Sequence, residues 1–360
     1  MINVTKSYLP EFHTYSSYLE KIWANNHLTN HGPLVLELEE KLRNRFGVKH
    51  FFFVNNGTIA LQIALKAIGA SNQVITTPFS YVATTSSILW ENLQPAFADI
   101  DINSLCINPD EVEQLAKQGI KYLLATHVYG NPCDVKKLQE LAEKYKLKII
   151  YDAAHAFDVD YKDISILQYG DISTLSFHAT KLFHTIEGGA IVTNDDELAH
   201  KISYMRNFGH NGPEQFWGIG INGKASEFNA AMGLCILPNM EKIISDRKKV
   251  DASYRTGLDR KEISFPVIRS ATTYNYAYFP ILLQSEEMLL AVSEKLRENH
   301  INPRRYFYPS LNTLPFIENQ HCPIAEDVSR RVLCLPQYAD LSQEEINKII
   351  GVINQTIDHG

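Results

Sequence analysis

Between residues 51 and 193 the sequence repeats one pattern: a short apolar run, a polar or glycine-rich break, an amphipathic segment, then another apolar run. The apolar runs are Phe51–Val54, Val74–Thr77, Pro95–Asp99, Tyr122–His127, Lys148–Tyr151, Ile172–Phe177 and Ala190–Thr193. Helical spacing marks Pro33–Phe46, the run after the Asn55–Thr58 break to about Ala67, Tyr81–Trp90, Pro109–Gln118 and Val135–Tyr145, and a helix Ser226–Leu237 follows the polar run Gly220–Lys224. A strand that is apolar throughout must be covered on both faces, and helices between strands supply that cover. The pattern therefore predicts an α/β layer on a mostly parallel sheet. After about Met240 the pattern changes to a charged helix around Glu241–Tyr254, a strand-like Tyr276–Leu283, a helix Ser285–Asn299 and a Pro-punctuated stretch to Pro336. With 360 residues there is room for a large α/β domain over 1–245, with an N-terminal arm, and a smaller α+β domain over 246–360.

A net charge of −7 argues against nucleic acid as a partner, because phosphate contacts need clustered Lys and Arg; a local basic pocket for a small anion stays open. The five cysteines are odd in number, widely spaced and without a CxxC, so they read as reduced thiols rather than a disulfide framework or zinc site. Met1–Lys6 lacks the basic and apolar regions of a signal peptide, and no apolar run approaches the roughly 18–20 residues that cross a bilayer. These features predict a cytoplasmic protein without membrane contact.

Two strand ends carry chemistry. The run Lys148–Tyr151 delivers Asp152, and Ile172–Phe177 leads through His178-Ala179-Thr180 to Lys181, followed by Glu187-Gly188-Gly189. A lysine condenses with an aldehyde, and an aspartate keeps a pyridine nitrogen protonated so that the ring accepts electrons; the pairing suits pyridoxal 5′-phosphate. Asp152 read alone fits a helix cap equally well. Asn56-Gly57-Thr58, at a strand-to-helix junction, fits either a phosphate cradle or an ordinary turn with a cap. Tyr81, after Pro78-Phe79-Ser80, fits either a ring-stacking or a core aromatic. His155 and His178 read as cofactor contacts or as satisfied core histidines, and zinc binding by His155, His178 and His184 matches no familiar spacing.

NGTIAL (Asn56–Leu61), PFSYVAT (Pro78–Thr84), HVYGNPCD (His127–Asp134), DAAHAF (Asp152–Phe157), SFHATK (Ser176–Lys181) and EGGAIVTND (Glu187–Asp195) stand in one order. In that order they resemble the sugar-nucleotide aminotransferases of the DegT/StrS type, which are fold-type I enzymes dependent on pyridoxal phosphate. The resemblance runs from Leu28–Pro33 to Leu335–Tyr338. It implies that Lys181 links to the cofactor and shuttles the proton, and that Asp152 pairs with the pyridine nitrogen. His155 would touch the phenolic oxygen, Tyr81 would stack on the ring, and Gly57, Thr58 and Ser176 would bind the phosphate. Asn222 would reach the phosphate in a neighbouring subunit, so the resemblance also implies a homodimer.

Many relatives have Arg two positions after Asn222, where this chain has Lys224, a point charge instead of a bidentate fork. Lys224, Val4–Pro10 and Arg304–Pro309 resemble a narrower branch that aminates dTDP-4-keto-6-deoxy-glucose at C4, with L-glutamate as donor. Arg304 and Arg305 are candidate anion contacts there, or an ordinary surface pair. Alternatives are a 3-keto-sugar aminotransferase, a sugar dehydratase of the same fold and a non-catalytic regulatory relative. The dehydratases carry histidine where this chain has Lys181, and intact Lys181 and Asp152 argue against the last.

Overall fold

In the computed structural model, seven strands build the central sheet: β1 (His50–Val54), β2 (Gln73–Thr76), β3 (Gln94–Phe97), β4 (Tyr122–Thr126), β5 (Lys148–Asp152), β6 (Ile172–Ser176) and β7 (Gly189–Thr193). The structure describes residues 1–318 and 320–359; Asn319 and Gly360, inside the predicted 246–360 segment, lie outside the described residues. The strand order is β1-β7-β6-β5-β4-β2-β3. Pairings β2–β3, β2–β4, β4–β5 and β5–β6 are parallel, while β7 runs antiparallel to both β6 and β1. The sheet is mostly parallel, as expected, with one reversed strand. Consecutive side chains point to opposite faces. Leu123, Ala125, Ile149, Tyr151, Ala190 and Val192 join one apolar layer, and Leu124, Ile150 and Ile191 join the other.

The helices are α1 (Phe12–Asn25), α2 (Pro33–Phe46), α3 (Gly57–Ala67), α4 (Val82–Trp90), α5 (Pro109–Lys117), α6 (Val135–Tyr145), α7 (Asp196–Met205), α8 (Glu227–Ile236), α9 (Met240–Gly257), α10 (Glu286–Glu298), α11 (Pro323–Arg331) and α12 (Gln343–His359). Of these, α1, α7, α11 and α12 went undelimited in the sequence pattern. Helix α2 starts at a proline and stops at Gly47, whose φ of 61° suits glycine and whose N–H bonds back to Arg43 and Asn44. Its first turn is capped from afar: the Glu227 carboxylate accepts the Leu34 and Val35 N–H groups at 2.9 Å each.

A second, antiparallel sheet joins β8 (Ile263–Ser264), β9 (Phe279–Leu283) and β10 (Val332–Leu335). It shares an apolar cluster with α9, α10 and α12 through Tyr254, Phe279, Leu289, Leu296, Ile349 and Ile353. Helix α9 bridges the two regions, with Met240 and Ile243 in the large core and Val250 and Tyr254 in the smaller. The N-terminal Ile2–Asn3 pairs in parallel with Ile301–Asn302, beside the smaller cluster. Among the described residues no helix is long and apolar enough to cross a membrane.

Candidate active site

Because six strands of the central sheet run one way, their carboxyl ends share an edge; β7, reversed, contributes its amino end there. A cavity of about 260 Å³ opens at that edge. Gly57, Thr58, Tyr81, Asp152, His155, Ser176 and Lys181 all line it, together with Glu187, Tyr278 and Arg304.

One end is an anion cradle. The Asn56 side chain caps α3 by accepting the Ile59 N–H at 2.8 Å. The N–H groups of Gly57 and Thr58 find no acceptor among the described residues and sit at the positive end of the helix. Space here depends on glycine. A Cβ on Gly57 would lie 2.9 Å from Ser176 Cβ, and one on Gly189 would lie 2.6 Å from the Asn56 backbone. With the Thr58 and Ser176 hydroxyls alongside, this donor set fits a phosphate.

The same cavity holds the acid. Asp152 ends β5 and is 6% exposed. Its Oδ1 accepts the Ala154 N–H at 3.1 Å, and its Oδ2 accepts the Thr84 hydroxyl at 2.9 Å. Burial pushes its pKa up; the Ala154 and Thr84 hydrogen bonds and the charge of Lys181 oppose that rise.

Lys181 sits on an arch, residues 177–188, between β6 and β7. The Phe177 N–H donates to the Gly188 carbonyl at 2.8 Å and closes the arch at its base. Lys181 is half-buried, and its Nζ donates to the Tyr278 hydroxyl at 3.3 Å. Burial lowers its pKa to about 8, against the pull of Asp152 and Tyr81, so a neutral amine is accessible near physiological pH.

His155 Nδ1 accepts the Tyr129 N–H at 3.2 Å, so the neutral ring carries its proton on Nε2 as a donor. Burial, then Lys181, hold its pKa well below the ordinary value. Tyr129 presents that N–H from a left-handed backbone, φ 57°, held by burial and by its hydroxyl on the Tyr306 carbonyl. Phe307 stacks 5.6 Å from the imidazole.

Of Asn222, Lys224, Arg304 and Arg305, only Arg304 reaches the cavity. Asn222 is exposed and does not line the cavity of its own chain; its carbonyl accepts the Asn55 side chain at 3.3 Å. Lys224 also stays outside, donating to Asn207 at 2.9 Å and lying 4.3 Å from the Phe208 ring centre. Arg304 lines the mouth over Tyr306, whereas Arg305, outside the cavity, is engaged by Glu286 at 2.6 Å and stacked on Tyr308. The reading of the sequence assigned no role to Thr84 or Tyr278. Thr84 closes the PFSYVAT run, but its contact with Asp152 depends on where α4 begins. His184 points away from the cavity, its Nε2 on the Tyr8 carbonyl at 2.8 Å. No three metal-ligating side chains converge among the described residues.

The sequence and the fold match those of known proteins. A model of the DegT/DnrJ/EryC1/StrS aminotransferase family matches residues 13–354. The dTDP-4-amino-4,6-dideoxy-D-glucose transaminase of Shigella dysenteriae is 42% identical over 361 residues, covering 98% of each chain. Its namesake from Escherichia coli is 40% identical over 365 residues, again with 98% of each covered. The crystal structure of DesI, determined in the presence of its TDP-sugar product, superposes with a TM-score of 0.92 at 28% identity, over 99% of this chain and 95% of that one. On sequence and on fold, this chain belongs to the DegT/DnrJ/EryC1/StrS aminotransferase family.

Proposed function

We propose that the protein is a pyridoxal 5′-phosphate-dependent aminotransferase. It moves the amino group of L-glutamate to C4 of a nucleotide-linked keto-sugar, dTDP-4-keto-6-deoxy-D-glucose, giving 2-oxoglutarate and dTDP-4-amino-4,6-dideoxy-D-glucose. The observation that carries the reaction class is the gathering of Lys181, Asp152 and the α3 anion cradle around one cavity. The position and the nucleotide rest on the relatives that are 42% and 40% identical.

When bound, the cofactor ring supplies a sink for the electrons released at the donor Cα. Lys181 Nζ, whose neutral form burial brings within reach of physiological pH, would take the proton from that carbon and return one on the way to product. The Asp152 carboxylate would hold the proton on the ring nitrogen, and His155 Nε2–H would donate to the phenolic oxygen. Tyr81 would pack on the ring. The Gly57 and Thr58 N–H groups and the Thr58 and Ser176 hydroxyls would hold the phosphate. Arg304 faces the acceptor or donor anion at the mouth, and Arg305 supports that segment through Glu286. The enzyme acts as a homodimer in which exposed Asn222 and Lys224 serve the cavity of a second copy. It works in the cytoplasm, which suits five free, buried cysteines.

The test incubates the protein with pyridoxal phosphate, L-glutamate and dTDP-4-keto-6-deoxy-glucose, with Lys181→Ala as control, and identifies products by mass spectrometry and NMR. An amine at C4, absent from the control, is the expected result. Glutamate turnover without an aminated dTDP-sugar refutes the acceptor. No change of the cofactor spectrum on adding glutamate refutes the donor.

A further inference from the structure

Behind Asp152 lies a line of hydroxyls that the reaction above does not use. Thr84 Oγ1 donates to Asp152 Oδ2 at 2.9 Å, Ser80 Oγ lies 2.8 Å from Thr84 Oγ1, and Thr126 Oγ1 lies 3.1 Å from Ser80 Oγ. The three residues are at most 2% exposed and come from different places: the first turn of α4, the turn after β2 and the end of β4. The donor count sets the direction of the whole line. An ionised carboxylate only accepts, so the single Thr84 proton goes to Asp152; Ser80 must then donate to Thr84, and Thr126 to Ser80.

We propose that Thr84, Ser80 and Thr126 are positioning residues that orient the Asp152 carboxylate and keep it charged opposite the ring nitrogen. The inference rests on the pyridoxal phosphate reading above. A chain of hydrogen bonds pointing one way polarises each link and strengthens the last, which ends on the charge. Each carboxylate oxygen has one fixed donor, Ala154 N–H or Thr84 hydroxyl, so the group cannot turn freely. Burial works against the charge of Asp152, and the Thr84 bond is among the few contributions that oppose it.

Thr85, next on the same helix, is equally buried, yet its hydroxyl has no partner among the described residues. It supplies the control. The experiment binds pyridoxal phosphate labelled with ¹⁵N in the ring to the wild type and to Thr84→Val, Thr84→Ser, Ser80→Ala and Thr85→Val. It then follows the ring-nitrogen chemical shift against pH. Losing a hydrogen bond to a charged group raises the proton affinity of the Asp152 carboxylate by about one to two pH units, so in Thr84→Val the shared proton should sit further towards Asp152 and the ring-nitrogen shift should move towards its neutral value where the wild type is still fully protonated. Ser80→Ala should shift it less in the same direction, whereas Thr84→Ser and Thr85→Val should titrate as the wild type. The first half-reaction with glutamate should slow in Thr84→Val at an unchanged half-saturating concentration.

A Thr84→Val titration that coincides with the wild type, or an equal shift in Thr85→Val, overturns the inference alone. A wild type that takes up no cofactor through Lys181 overturns the function and this inference with it. Should Thr84→Val fail to fold, an unshifted Ser80→Ala overturns the proposal and a shifted one supports it.

Discussion

Replacing Gly57 with alanine separates helix propensity from the geometry of the cradle. Alanine favours a helix over glycine by about 1 kcal/mol, so propensity alone predicts a more stable protein. The structure predicts a defect. The new Cβ would stand 2.9 Å from Ser176 Cβ and 3.3 Å from both Ser176 Cα and Oγ. Ordinary carbon contacts are about 3.5–4.0 Å, so the start of α3 and the end of β6 must part by roughly 0.6 Å or more. That movement pulls the Gly57 and Thr58 N–H groups away from the Ser176 hydroxyl with which they would share the phosphate. Losing one hydrogen bond to a charged group costs about 1.5–3 kcal/mol, or roughly ten- to a hundredfold in the dissociation constant. Titrating cofactor-free wild type and Gly57→Ala with pyridoxal phosphate, and separately with pyridoxal, reads the effect by absorbance. Pyridoxal still reaches Lys181 but brings no phosphate, so its affinity should hold while that of the phosphate ester falls. An equal loss for both ligands, or none for either, would refute the cradle.

Two further outcomes follow from burial. Lys181 titrates at about 8 in the fold against 10.5 unfolded, so folding disfavours its charged form. Below pH 8 the amine is charged in both states and the full cost, up to about 3 kcal/mol, is present; from 8 to 10.5 the unfolded chain binds more protons and stability rises with pH. Urea denaturation of the cofactor-free protein should therefore find Lys181→Met more stable than wild type at pH 7, by an excess that shrinks above pH 8; a pH-independent gap contradicts this. Glu227→Ala should cost about 3 kcal/mol, because it leaves two buried N–H groups at the start of α2 without an acceptor; a loss under about 1 kcal/mol in the same assay would show that the cap contributes little.

The sheet was legible because its strands are buried on both faces, so an apolar run marks each one directly. Site residues at or after strand ends were legible for a related reason: parallel strands bring their carboxyl ends to one edge, where Asp152, Ser176 and Tyr81 line one cavity. Direction was not legible, since Gly189–Thr193 is fully buried whichever way it runs. Tyr278 was read as part of a strand from Tyr276, whereas β9 starts at Phe279. Its place by Lys181 depends on Asn275, whose side chain donates to the His155 and Phe157 carbonyls, a contact between distant segments. The cap of α2 comes from a residue 193 positions away, and no local pattern announces it. Helix α12 is a different case: Ile346, Ile349, Ile353 and Ile357 carry a plain helical period that the reading of the C-terminal segment left undelimited.

The reversal of β7 has a mechanical consequence. Ser176 and Gly189 face each other as one rung of the ladder, so the arch bearing Lys181 stands with both feet clamped in neighbouring strands. Neither foot can slide, because a shift of one residue would exchange the side chains that β7 sends into the two apolar layers, Ala190 and Val192 on one side and Ile191 on the other. An added or deleted residue within the arch cannot be absorbed at its ends and must appear as displacement of the amine at its crown. In this protein the length of that span, as much as the identity of its residues, holds the reactive nitrogen in register with the acid across the cavity.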